Sequence, residues 1–202
     1  MFGAAPALAD NIPETAKQDT SGIYPEGLDS KRVTGKDGAV VERVVTWTDA
    51  QGHYTAVFAA SAKSGTKGDT TYYSKVLYVT TFLKKDGGWK KMQAIKEAVQ
   101  PCELDMTARF IEGSVEVQNL DEDGDGELTF GYVTRCAGDV SPLAMKLLTL
   151  EKDKKYILRG ETVVDLGSEK VGGSYKPDFG KAPKVLLDHA KDVWERLKTT
   201  SY

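Results

Sequence analysis

The stretch NLDEDGDGELTF, Asn119 to Phe130, places five acidic side chains and two glycines in twelve positions. Carboxylates at this density, on a backbone turned by glycine, offer the hard oxygen donors that calcium gathers six to eight at a time. The register decides what such a loop can do. Begun at Asp121, the spacing puts Asp123 and Asp125 third and fifth, Gly126 sixth and Thr129 ninth. The twelfth position, which a helix-flanked calcium loop fills with a bidentate glutamate, is then Tyr132. The flanking residues also alternate like strands, so this register fails.

Begun at Asn119, the loop closes in nine residues. Asn119, Asp121 and Asp123 then come first, third and fifth, and Gly124 makes the turn. The backbone carbonyl of Asp125 comes seventh, and Glu127 brings a carboxylate at the ninth. This shorter pattern resembles the calcium loops that join strands in integrin-type propeller repeats, and it needs no helix. Calcium on Asn119, Asp121, Asp123, Asp125 and Glu127 is the preferred expectation. Two readings stay open beside it. Asp-Gly pairs are common in plain hairpin turns, and a carboxylate cluster could act as acid or base. The catalytic reading is the weakest, because no histidine, lysine or arginine adjoins the loop in sequence to tune it.

Two cysteines, Cys102 and Cys136, are an even count that suits a disulfide in an oxidising compartment. Two reduced, buried thiols are the alternative. Zinc is disfavoured, since the only histidines, His53 and His189, are remote from both cysteines and from each other. A nucleophilic Cys136 or Ser141 in CAGDVSP would need a base that the sequence does not supply nearby. That segment reads as a half-cystine followed by an Asp/Ser turn stopped at Pro142. His189 reads as a boundary residue beside a helical stripe, and His53 as a loop residue. Trp47, Trp89 and Trp194, with TYYSKVLY, could line a sugar-binding face, though core packing explains them more cheaply.

These residues need a scaffold. The 202 residues suit one domain with an appendage. The first nine, ending in Ala7-Leu8-Ala9, read as the remnant of a signal peptide, and 10–37 as an extended arm pinned by Ile23, Tyr24 and Leu28. From 38 to 202 a single β-rich domain is expected. Period-two, β-branched runs occur at 39–47, 54–62, 71–84, 89–99, 106–120 and 127–136. A hairpin over 144–164 turns at Lys152–Lys154. The stretches KSGTKGDT and DLGSEKVGGSYKPDFGKA read as loops. Leu186, Leu187, Ala190, Val193, Trp194 and Leu197 form one apolar stripe, which predicts an amphipathic helix over 183–198 behind Pro183. The fold expected is therefore mainly β (α+β): an antiparallel meander of about eight strands, curled or sandwiched, with one C-terminal helix. A net charge of −3 with scattered lysines disfavours nucleic acid, and no apolar run is long enough for a transmembrane helix.

Together, the segments NLDEDGDGELTFGYVTRCAGDVSPLAMKLLTLEKDKKYILRG and GGSYKPDFGKAPKVLLDHAKDVW resemble a poorly characterised family of exported bacterial proteins. Members are sometimes labelled surface polysaccharide biosynthesis proteins. The likeness runs over roughly residues 100 to 195. It rests on the acidic loop, Cys136 to Pro142, Lys155 to Gly160, Gly172 to Trp194, and the upstream Cys102 to Asp105. Asn119 and Asp125 depart from the family pattern, which has Asp and an apolar residue there. The resemblance implies that both cysteines and the acidic loop are planned features, and a periplasmic or extracellular location. A non-enzymatic envelope module follows as the expectation, binding a glycan or an envelope protein. An enzyme of polysaccharide assembly or trimming, using Asp121, Asp123 or Glu127, is the alternative. A protein inhibitor or immunity factor is a further one.

Overall fold

The computed structural model describes residues 17–19, 25–28 and 38–199. The segment read as a signal-peptide remnant lies outside them, as do Ile23 and Tyr24. The chain is an antiparallel β-sandwich backed by one helix. The first sheet is a meander in chain order: β1 (Lys17–Asp19), β2 (Val40–Asp49), β3 (Gly52–Lys67), β4 (Thr70–Lys85) and β5 (Gly88–Cys102). The second contains β6 (Asp105–Phe110), β7 (Glu116–Gln118), β8 (Glu127–Ala137), β9 (Ala144–Glu151), β10 (Lys154–Glu161) and β13 (Tyr175–Asp178). Its order is β13-β10-β9-β8-β6, with β7 also paired to β8. A small ribbon joins β11 (Val163–Asp165) to β12 (Lys170–Gly172), and the helix α1 spans Lys184–Leu197.

Period-two alternation explains the layering. Along β3, Tyr54, Ala56, Phe58 and Ala60 face the second sheet, while Val57 turns to the other side. Along β8, Leu128, Phe130 and Tyr132 meet the first sheet, and Val133 turns to the helix. Phe58 stands edge-on to both Phe110 and Phe130, with centroids 5.2 and 5.3 Å away, which locks the two sheets at the centre. The outer face of the second sheet offers Met145, Leu147, Tyr156 and Leu158 to Leu186, Ala190, Val193 and Trp194 of the helix. On the outer face of the first sheet, Leu28 packs with Val44, Val57, Phe82 and Trp89, as the reading of the arm expected for Leu28.

Cys102, at the end of β5, is disulfide-bonded to Cys136 on β8, with Cα atoms 5.7 Å apart. The bond ties one sheet to the other and excludes a nucleophilic role for Cys136. It fits an oxidising compartment. Among the described residues no helix is long and apolar enough to cross a membrane.

Two segments differ from the expected loops. KSGTKGDT is not a loop: β3 continues to Lys67 and turns only at Gly68–Asp69 before β4 begins at Thr70. The small and polar residues hide the strand because both its faces are exposed there, so no alternation is imposed on it. Likewise 165–182 contains the short strands β12 and β13, the latter added at the edge beside β10. The helix begins at Lys184 with Pro183 as its N-cap residue, close to the expected start.

Candidate metal centre

The acidic loop connects β7 to β8, strand to strand. It crosses from Gln118 to Glu127, which are themselves paired in the ladder. Within this closed loop the side chains of Asn119, Asp121 and Asp123 turn back onto backbone N–H groups. The side-chain amide oxygen of Asn119 accepts the Gly124 N–H at 3.4 Å, and Asp121 Oδ1 accepts the Asp123 N–H at 3.4 Å. Asp123 Oδ1 accepts the Asp125 N–H at 2.9 Å. Glu122 and Gly124 both have left-handed φ, 61° and 88°, and this curls the chain back on itself.

The result is a triad. Asp121, Asp123 and Glu127 each bring an oxygen to within 4.8 Å of the other two, an arrangement that can hold a metal ion. Glu127 differs from its neighbours in burial. It is only 1% exposed, and its Oε2 accepts the Leu120 N–H at 2.7 Å. Its Oε1 is buried with no hydrogen-bond partner. Burial, opposed by the Leu120 N–H and reinforced by the charges of Asp121, Asp123 and Glu151, pushes its carboxyl up to about 8. Burial and the Asp123 charge also raise Asp121.

Asp125 is placed differently. It is 4% exposed, and its carboxylate turns to the ammonium of Lys152 instead of joining the triad. Its Oδ1 is buried without a partner. Lys152 also donates to Asp123 Oδ2 at 2.9 Å, which holds the Asp123 carboxyl below its ordinary range and raises the lysine. A cation supplied by the protein therefore already sits on two loop carboxylates.

Sequence reasoning missed this lysine and the rest of the loop's support. Lys152 stands at the left-handed tip of the β9–β10 hairpin, with φ 51°. The hairpin was legible, but its approach to a loop so far away in sequence is a tertiary property. The β2–β3 turn supports the loop from the other sheet. Ala50 N–H donates to the Gly124 carbonyl at 2.9 Å, and Asp49 Oδ2 accepts the Gly126 N–H at 3.0 Å. A Cβ on Gly126 would lie 2.9 Å from Trp47, so glycine is needed for that contact. Trp47 stacks on Tyr54 at 5.0 Å, and Tyr54 is pushed up to about 12 by burial and by Asp49 and Asp125. Glu151, buried at the end of β9, accepts the Tyr156 hydroxyl at 2.8 Å.

The remaining candidates resolve as structural groups. Trp47, Trp89 and Trp194 lie in three separate core clusters, so they form no common sugar-binding face. Ser141 donates to Asp139 Oδ1 at 2.9 Å in the expected turn. His189 is packed at the helix–sheet boundary 3.4 Å from Glu116 and is lowered by burial. His53 shares a hydrogen bond with Thr48 at 3.1 Å. Comparison with known protein families, curated proteins and solved structures finds no match.

Proposed function

We propose that the protein is an exported, non-enzymatic module of the bacterial cell envelope, whose Asn119–Glu127 loop is stabilised by calcium and whose work is binding. The observation that carries this reading is Glu127. A buried carboxylate with one bare oxygen is costly unless something positive meets it. Here it adjoins the oxygens of Asp121 and Asp123. Calcium is favoured over softer ions because the donors are carboxylates, and both cysteines are consumed in the disulfide. In this reading Asn119 and the Asp125 backbone shape the loop, and the Asp125 side chain serves Lys152. The disulfide supports export, and the resemblance to exported bacterial proteins supports the envelope.

One observation favours the enzymatic alternative: a glutamate raised to about 8 suits a general acid. Its burial weighs against it, because a substrate would have to open the loop to reach it. Thermal melts in EDTA and in millimolar calcium test the proposal. Calcium should raise the melting temperature of the native chain and leave that of Asp123→Ala unmoved. A native melt indifferent to calcium refutes the metal site.

A further inference from the structure

We propose that the outer face of the β3–β4 hairpin is a binding site for an acidic oligosaccharide, seated between Lys63 and Lys67 over Gly65 and Tyr72. This names a ligand for the binding role above and rests on that reading only in taking the module to bind. It does not depend on the calcium loop.

The register brings the site together. Lys63 pairs with Ser74, Gly65 with Tyr72, and Lys67 with Thr70. Side chains directly opposite in a ladder share a face, and this one is the face turned away from the second sheet. Tyr73, paired with Ser64, belongs to the other face. A hollow of about 480 Å³ lies here, lined by the whole β3 stretch from Lys63 to Lys67, Ser64 and Thr66 included, by Tyr72 and Ser74 of β4 and by Pro101 of β5.

Gly65 has no structural reason to be glycine. Its φ lies outside the left-handed range, and a Cβ built on it would meet nothing within 4 Å. The Tyr72 ring therefore does not cover it, as an aromatic side chain often does when it repairs a strand glycine. A bare glycine inside a strand weakens it, and its common justification is the close approach of another molecule. The lysines are equally unexplained. Neither Lys63 nor Lys67 makes an ion pair with a described residue, and both are exposed.

These groups define a ligand by chemistry. A half-buried tyrosine ring and a proline suit the C–H face of a sugar ring, and Ser74 offers a hydroxyl. Two ammonium groups four residues apart on one strand stand roughly 13 Å apart, and they suit two anionic groups on a chain of sugars. Single-stranded nucleic acid fits less well. Its grooves stack successive bases on successive aromatics along a basic track. This face offers one tyrosine, on a chain of net charge −3.

The test is calorimetric titration of the full chain, in EDTA, with three probes of equal length. They are a hyaluronan hexasaccharide, an uncharged N-acetylglucosamine hexamer and a thymidylate hexamer. The acidic sugar should bind about tenfold more tightly than either control. Gly65→Val should weaken it by about tenfold or more without lowering the melting temperature, because a β-branched side chain suits an exposed strand and meets open space. Lys63→Gln with Lys67→Gln should bring the acidic sugar down to the affinity of the neutral one. The proposal is overturned if hyaluronan does not bind, if Gly65→Val binds as the native chain does, or if thymidylate binds as well or better. Melts without sugar score the calcium loop separately, so either idea can fail while the other stands.

Discussion

Glu127 gives the most direct handle on the loop. Its folded-state carboxyl is raised from 4.5 to about 8, chiefly by burial. Between those values the metal-free folded chain keeps a proton that the unfolded chain has released. Stability is therefore fully present below pH 4.5 and falls as pH rises, by about 1.4 kcal/mol per unit, until it levels off near 8. By pH 7 the loss is roughly 3 kcal/mol, or a fall of roughly 6 to 12 °C in Tm for a chain of this size. Glu127→Gln keeps the shape and cannot ionise, so its melts in EDTA should lack that fall. His189, held low by burial, gains stability in the opposite direction as pH rises. It is common to both chains, so the difference between them isolates Glu127. Calcium should then remove the fall in the native chain by meeting the ionised carboxylate. Near pH 7 its binding should release about one proton, seen as buffer-dependent heats in calorimetry. Parallel melting curves for the native and Glu127→Gln chains from pH 4.5 to 8 in EDTA would refute the argument.

Three further outcomes follow from contacts described above. Lys152→Met removes the internal cation from Asp123 and Asp125; in EDTA it should cost about 1–3 kcal/mol through the carboxylates it strands, while the calcium-induced rise in Tm grows. A native chain and variant with equal calcium responses would show that the ammonium and the ion do not compete. Replacing both Cys102 and Cys136 with serine opens the link between the sheets and should cost on the order of 4 kcal/mol in a denaturant titration. Trp194→Ala empties the centre of the helix–sheet layer, where Trp194 is fully buried. It should cost about 3–5 kcal/mol and leave the calcium response intact if the variant folds.

The sequence carried whatever depends on local pattern. The strands of the sandwich core alternate because one face of each is buried, and Leu186, Ala190, Val193 and Trp194 keep helical spacing for the same reason. The clustering of Asp121, Asp123 and Glu127 was legible too, since their spacing and the turn at Gly124 lie within a few positions of the chain. What was hidden depends on chain segments that meet only after folding. The turn at Asp49–Ala50 secures the loop from the opposite sheet, and Trp47 presses against Gly126, so that glycine serves packing and not only turning. Lys152 takes Asp125 out of the acidic set, although spacing alone made the two look independent. The hairpin tip at 62–70 was missed for the opposite reason. With both faces open, nothing in packing dictates its residues, and so no period marks it as a strand. Residues freed from packing in this way are open to being shaped by a ligand, which is why an unexplained glycine between two lysines that pair with no described residue is informative there and would not be in the core.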